Sequence, residues 1–313
     1  MSRKLMGILL LGFASGLPYM LVFSTLTAWL RDVGISLTEI GFFAWLVLTY
    51  SLKFLWAPFV DRYSIPGFKV FGKRRGWILF SQSLIFLSLF GMSLIDPLNN
   101  IQLLALLAFF VAFFGSIQDV AVDALRIEIG EAKEQGNLAA SYQLGYRVAI
   151  LIATSAALIF ADIYSWSYVY QSMSLFILVG SAGALICHEP NNHEIAILRF
   201  DKALIEAFKE FFHRFGLWSA AILLLIISTY RLTDIVMGPM AMPFYLDLGF
   251  SKTEIGALVK TIALFGSVIG FFIGGLLIKR ISLFSALLFG GFCVLITNLF
   301  FAYVASTQAN ISL

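Results

Sequence analysis

The chain has 313 residues, 60% of them hydrophobic and 12% charged, about half the usual charged share of roughly 25%. That much hydrocarbon excludes an ordinary soluble domain, and the net charge of +3 is an uneven distribution of basic loops rather than a nucleic-acid footprint. Two cysteines far apart, Cys187 and Cys293, offer neither a disulfide framework nor a metal cluster.

A helix needs about 20 apolar residues to cross a hydrocarbon core of ~30 Å, whereas barrel strands alternate polar and apolar over about 10. The runs here are of the first kind. In chain order, nine spans are expected: Leu5 to Leu30, Ile40 to Val60, Trp77 to Ile95, Ile101 to Leu125, Leu138 to Ala161, Trp166 to Cys187, Leu217 to Leu246, Ile255 to Ile278 and Leu283 to Ala305. Arg3 and Lys4 precede the first run, but its length, Gly16, Pro18 and the lack of a cleavage site make it a retained span rather than a signal peptide.

Gly34 to Gly41 reads GISLTEIG, and 215 positions later Gly249 to Gly256 reads GFSKTEIG, with six identities in eight. Each copy places a Ser three residues before a Glu (Ser36 and Glu39; Ser251 and Glu254), the capping-box spacing. Asp32 and Asp247 precede the copies by the same interval. Two independent caps would explain Ser and Glu but not the shared Thr, Ile and Gly, so the chain is read as internally duplicated. The expected organisation is a six-helix half over residues 1–187, a linker over 188–216 and three helices of a second half over 217–313, three quarters of a twelve-span plan.

The linker opens HEPNNHE and holds His188, His193 and His213, read as solvated surface. Within it Phe200, Leu204, Phe208, Phe211 and Phe215 recur at helical spacing, which predicts an amphipathic helix on the inner membrane surface, or else a soluble cap. With the N-terminus inside, fifteen Lys and Arg fall in the inner loops against Arg31 and Lys252 outside, so the basic face is read as cytoplasmic.

Seven ionisable residues lie in the spans: Lys53, Asp119, Asp123, Arg147, Arg231, Asp234 and Lys260. Burying them is costly enough that function is the default reading. At 1.5 Å per residue, Lys53, Asp119 and Arg147 fall at one depth, roughly 10 Å from the inner face, and could form one network. Asp119 and Asp123 stand four apart on one helix face. Two carboxylates in a partly dry site cannot both ionise cheaply, so one is suited to carry a proton. The competing reading pairs them statically with Lys53, Arg147, Arg62 or Arg126 as a latch on the inner gate, Asp123 being the more structural of the two. Arg147 and Arg231 suit carboxylate recognition, although Arg147 could pair between helices and Arg231 with Asp234, three residues on. Trp29, Trp77, Trp166 and Trp218 fall near span ends as interfacial anchors. Gly12 and Gly16, and Gly266, Gly270 and Gly274, have the four-residue spacing of close helix packing.

The opening GFASGLPYM, the segment LKFLWAPFVDRY, the basic KRRGW, the stretch SIQDVAVDALRIE and the following LGYR together resemble the AmpG-type muropeptide permeases of the major facilitator superfamily. The likeness runs in order through residues 5 to 280. It implies an all-α membrane helix bundle, a proton gradient in place of any cofactor, and import of anhydro-muropeptides across the bacterial inner membrane. Acetyl-CoA transporters share the general pattern. In the superfamily's loop between spans 2 and 3, Asp61 and Arg62 match the acidic and basic positions, Ala57 stands for the usual glycine, and an insert with Pro66 and Gly67 precedes Lys73, Arg74 and Arg75. At the second copy Gly275 and Arg280 match, with Lys279 in the acidic place. The charged residues of the spans together with the resemblance assign proton coupling or gating to Asp119, Asp123, Lys53, Asp61 and Arg62, and substrate contact to Gln118, Arg147, Arg231 and Asp234; of these, Asp61, Arg62 and Gln118 are the positions that the resemblance itself carries. Trp45 and Trp56 are deep enough to stack on a sugar. Expected partners are membrane lipid, the muropeptide, no nucleic acid, and a separate polypeptide supplying the last three spans. A non-transporting remnant or half-assembly partner is the alternative, while a membrane enzyme finds no Ser/His pair, metal spacing or phosphate loop in the polar segments.

Overall fold

A computed structural model describes residues 2–189, 209, 210, 212–259, 262, 266, 269, 270, 273, 281 and 283–307, while the side chains of some helical residues, Arg231 and Asp234 among them, lie outside that description. Lys260, Gly274, Gly275, Lys279, Arg280 and most of the expected linker helix, including Phe200, Leu204, Phe208 and Phe211, also lie outside the described residues.

Every element among the described residues is helical. Among the described residues six helices are long and apolar enough to cross a membrane: α1 (Arg3–Asp32), α2 (Leu37–Leu55), α3 (Lys73–Ser93), α4 (Ile101–Glu128), α5 (Gln135–Ile163) and α6 (Trp166–Ile186). After them come α7 (Leu217–Asp247), α8, which opens at Lys252–Glu254, and α9 (Leu283–Thr307). α1 and α5 begin and end two or three residues beyond their apolar runs, and α3 starts four residues early at Lys73 but stops at Ser93, because caps and charged first turns shift helix ends relative to the hydrocarbon-facing part.

One expected span differs in kind. α2 is not a single helix: it passes through 3-10 turns at Ala44–Leu46 and Lys53–Leu55 before a last helical piece, Ala57–Arg62. Pro58 has no N–H for the carbonyl four residues back, and the second break falls just ahead of it.

Both copies of the repeat fold alike. Each preceding helix stops at a glycine of positive φ, 91° at Gly34 and 89° at Gly249, a conformation glycine adopts without steric cost. The stop is a Schellman motif in both: the Ile35 amide donates to the Leu30 carbonyl (2.9 Å) and Gly34 to Arg31 (3.0 Å), while Phe250 donates to Tyr245 (3.2 Å) and Gly249 to Leu246 (3.0 Å). Complete capping boxes on Ser36 with Glu39 and Ser251 with Glu254 then start the next helices. Six shared residues thus encode one stop-and-start turn, used twice.

α1 is the central post, packed on α5 and α6. Side-chain-free positions allow this: a Cβ on Gly145 of α5 would lie 2.9 Å from the Phe13 nitrogen, and one on Gly12 would lie 2.9 Å from the Tyr142 Cα. Pro18 inside α1 leaves the Ala14 carbonyl without its helical donor. Gln118 of α4 supplies the replacement, its amide donating to that carbonyl at 3.0 Å. A π-helical turn follows at Leu21–Thr25 and meets another at Ile152–Ala156 of α5, with the Thr25 hydroxyl on the Ala153 carbonyl and the Tyr170 hydroxyl on Leu21 O at 2.9 Å. Trp29 and Trp166, expected as interfacial anchors, are instead core residues. They stack at 6.1 Å and are 3% and 7% exposed, because the helix face they occupy packs on protein rather than lipid. Trp218, by contrast, is 81% exposed.

Among the described residues the core is uneven from end to end. A larger cluster surrounds the end that carries the repeats, and there the second half contributes Met242 and Ile255, flanked by Met240, Tyr245, Leu246 and Phe250. The smaller cluster, at the basic end, is built from residues 5–187 only. At that end α7 leaves Leu217, Trp218, Ile222 and Leu225 exposed. Among the described residues, then, the two halves share a packed core only at the repeat end.

Candidate functional site

Asp119 sits half-buried on α4, one residue after the α1-bound Gln118. Its Oδ1 is buried without a protein hydrogen-bond partner, as are the Tyr50 hydroxyl, the Ser15 hydroxyl and Gln118 Oε1. Tyr50, Tyr142, Tyr146 and Lys53 lie within electrostatic reach of the carboxyl, and the Ser15 hydroxyl faces it. Tyr50 crosses Tyr19 edge to face at 5.0 Å, and Tyr142 stacks with Tyr146 at 6.2 Å. The Tyr50 hydroxyl rests on Gly115, where any side chain would collide with it. Buried polar atoms without protein partners are unusual in a native interior, and the Asp119 carboxyl and the Tyr50 hydroxyl can each be satisfied by a ligand or a moving proton.

The expected charged network is present in part. Lys53 meets Asp123 at 3.9 Å and Arg126 meets Asp123 at 3.7 Å, with Lys53 and Asp123 each more than 40% exposed. Asp119 feels Lys53 and Asp123 electrostatically. Arg147 is half-buried on α5, next to Tyr146. Gln118, expected at the substrate, is fully buried with its amide nitrogen donating to α1, and its Oε1 has no protein partner. Trp56 packs edge on with Phe113 at 5.1 Å, while Trp45 is 69% exposed.

At the basic end the expected gate residues separate. Asp61 accepts from Arg74 Nη1 at 2.6 Å, and Glu128 accepts from Arg74 Nη2 and Nε at 2.5 and 3.0 Å. Arg62 instead lies over the Tyr63 ring at 5.6 Å. The hub is therefore Arg74, whose side chain is 6% exposed. Glu189, just past α6, accepts from the backbone amides of Arg74 and Arg75 at 2.7 and 3.0 Å, closing the open N-terminus of α3. Nearby, Lys4 donates to Glu134 at 3.1 Å, and that bond together with the Glu131 amide holds the Glu134 carboxyl below the usual carboxylate range.

Sequence reasoning missed Arg74, Glu128, Glu189 and the tyrosines. A signal existed for the tyrosines: Tyr142 and Tyr146 have the same-face spacing that singled out Asp119 and Asp123.

A membrane-spanning helix bundle with a duplicated turn and a polar cluster beside its central helix has the architecture of a secondary transporter. The chain belongs to the Major Facilitator Superfamily, whose family profile matches residues 8–313, and within it to the AmpG-type group. It is 35% identical over 286 residues to the anhydromuropeptide permease of Escherichia coli K12, covering 91% of this chain and 57% of that one. It is 32% identical over 308 residues to a Rickettsia conorii protein named as transporter AmpG 4, covering 96% and 74%. The chain thus spans less than two thirds of the Escherichia coli permease. Among solved structures, a bacterial homologue of the human lysosomal transporter Spinster, inward-facing and unoccupied, superposes with a TM-score of 0.57 at 18% identity, over 89% of this chain and 62% of that one. That likeness concerns the fold alone.

Proposed function

We propose that this chain is a proton-coupled importer of anhydro-muropeptides in the bacterial inner membrane, with its N-terminus and basic end in the cytoplasm. The observation that carries the reading is Asp119. A carboxyl among unpartnered hydroxyls, continuous with the half-exposed Lys53 and Asp123, suits a group that exchanges a proton as a polar ligand comes and goes. The Escherichia coli relative, named an anhydromuropeptide permease, supports the substrate class. Arg147, Arg231 and Asp234 are the proposed contacts for substrate charge, with Gln118 Oε1 as an acceptor. The packing asymmetry supports an inward-facing state, closed at the repeat end.

Labelled anhydro-muropeptide should accumulate in cells whose other permeases are deleted and which express residues 1–313, and an uncoupler should abolish the accumulation. Uptake of acetyl-CoA instead would move the substrate class. No uptake of either, restored by co-expressing three further spans from a relative, would favour the half-assembly reading with a separate polypeptide.

Sidedness is tested separately. Lys133, with a side chain 80% exposed, and the exposed Asn99 lie in loops at opposite ends of the bundle. An impermeant thiol reagent added to spheroplasts should label Asn99→Cys and spare Lys133→Cys. The reverse pattern would invert the topology.

A further inference from the structure

At the repeat end the two halves are joined by charges as well as by packing. Arg31, at the end of α1, donates through Nε to Asp247 of α7 at 2.5 Å, and its Nη1 reaches the Ile35 carbonyl at 3.3 Å. Lys252, opening α8, reaches back to Asp32 at 2.9 Å and to Asp162 of α5 at 3.8 Å. Asp32 also accepts from Trp166 Nε1 at 2.7 Å, and Asp162 from the Thr253 amide at 2.5 Å. The five charged side chains border a cleft of about 420 Å³.

The duplication gives this cluster a logic that isolated surface pairs lack. Asp32 and Asp247 hold equivalent places, each two residues before the positive-φ glycine of its copy. Each accepts from a cation of the opposite half. The cations are not duplicated: Leu246 stands where α1 has Arg31, and Leu37 where the second copy has Lys252. Neighbours on a helix do not face each other, so Arg31 is not placed to hold Asp32. The acids are common to both halves, and the partners are arranged so that both bonds cross between them. A single exposed ion pair contributes little, but a network of partly screened groups is the recognised exception. The Lys252 and Arg31 side chains are 16% and 28% exposed, and they sit over the seam where Met242 and Ile255 join the shared core.

We infer that Asp32 and Asp247 are matched acceptors of a two-point lock, with Arg31 and Lys252 as its bolts, and that the lock holds the repeat end of the bundle shut. These are positioning residues; they select a conformation and need not touch what is carried. The inference goes beyond the transport reading and does not depend on its substrate.

The test uses the full 313-residue chain purified in detergent, so that neither sidedness nor substrate enters. In a Cys187→Ser, Cys293→Ser background, Met242→Cys reports the seam, since Met242 is 2% exposed and lies below Asp247. With the lock intact, a water-soluble maleimide should label Cys at 242 slowly. Asp32→Asn with Asp247→Asn should speed labelling roughly tenfold, a modest shift of a two-state population. Asp247→Arg alone should also speed labelling, and adding Arg31→Asp to it should bring the slow rate back. Raising ionic strength with the lock residues intact is a second reading that needs no lock substitution, and should also speed labelling. An unchanged rate in the double Asn variant, a faster rate that the charge exchange fails to reverse, or indifference to salt would each overturn the lock.

Discussion

Arg74→Ala should be the most destabilising single substitution of a charged side chain in the first half, costing about 3 kcal/mol, the lower end of the range for breaking a buried ion pair by removing one partner. The guanidinium answers two carboxylates from different elements, Asp61 at the end of the α2 region and Glu128 at the end of α4. Removing it leaves both without their cation in a place where Glu128 is only 25% exposed. The lower end applies because Asp61 is 43% exposed and water recovers part of its loss. Arg74→Lys keeps the charge but not the planar fork that serves two acceptors at once, so it should recover only part of the stability. Glu128→Gln should cost less than Arg74→Ala, since Asp61 remains paired. Thermal denaturation in detergent ranks the three. Equal midpoints for Arg74→Ala and the unsubstituted chain would show that the hub contributes nothing.

The largest functional effect is expected from Asp119→Asn. In cells where the chain supports gradient-driven uptake, this variant should drop to background, while exchange of labelled for unlabelled substrate across the membrane persists. Exchange moves no net proton, so it tolerates a side chain that cannot release one; uptake against a gradient does not. The amide keeps the carboxyl's size and lone pair, leaving the Tyr50 and Gly115 contacts in place. Equal loss of uptake and exchange would assign Asp119 to gating or substrate contact, and unaffected uptake would remove it from coupling. Asp123→Asn is the internal comparison. Asp123 is already paired with Lys53 and Arg126 on the half-exposed side of the cluster, and its neutralisation should slow uptake without abolishing it.

Local features of the chain were legible where the determinant is short in sequence. The eight-residue repeat predicted its two helix starts, and both capping boxes and both Schellman stops follow from it. The six apolar helices of the first half were readable from run length alone. The four-residue spacing of Gly12 and Gly16 foretold a close approach, which the structure places against α5. Contacts between distant segments were not legible. Nothing in the order KRRGW says which of three basic residues turns inward, because that depends on Asp61 and Glu128 arriving from two other elements. Trp29 and Trp166 read as interfacial because each is near a span end; only their mutual stacking makes them core. Gln118 was legible as a polar residue beside the acids, but its bond to Ala14 requires knowing that Pro18 has freed that carbonyl 104 positions away.

The uneven core also has a mechanical meaning. Among the described residues the halves are joined at the repeat end, like a pair of arms pinned near their tips, and a helix of ~20 residues makes each arm roughly 30 Å long at 1.5 Å per residue. Turning one arm by about 10° about the pin would swing its free end by about 5 Å, while side chains near Met242 and Ile255 shift by a small fraction of that. Substitutions of a single methylene at that pivot should therefore be felt at the far opening, out of proportion to the volume they change.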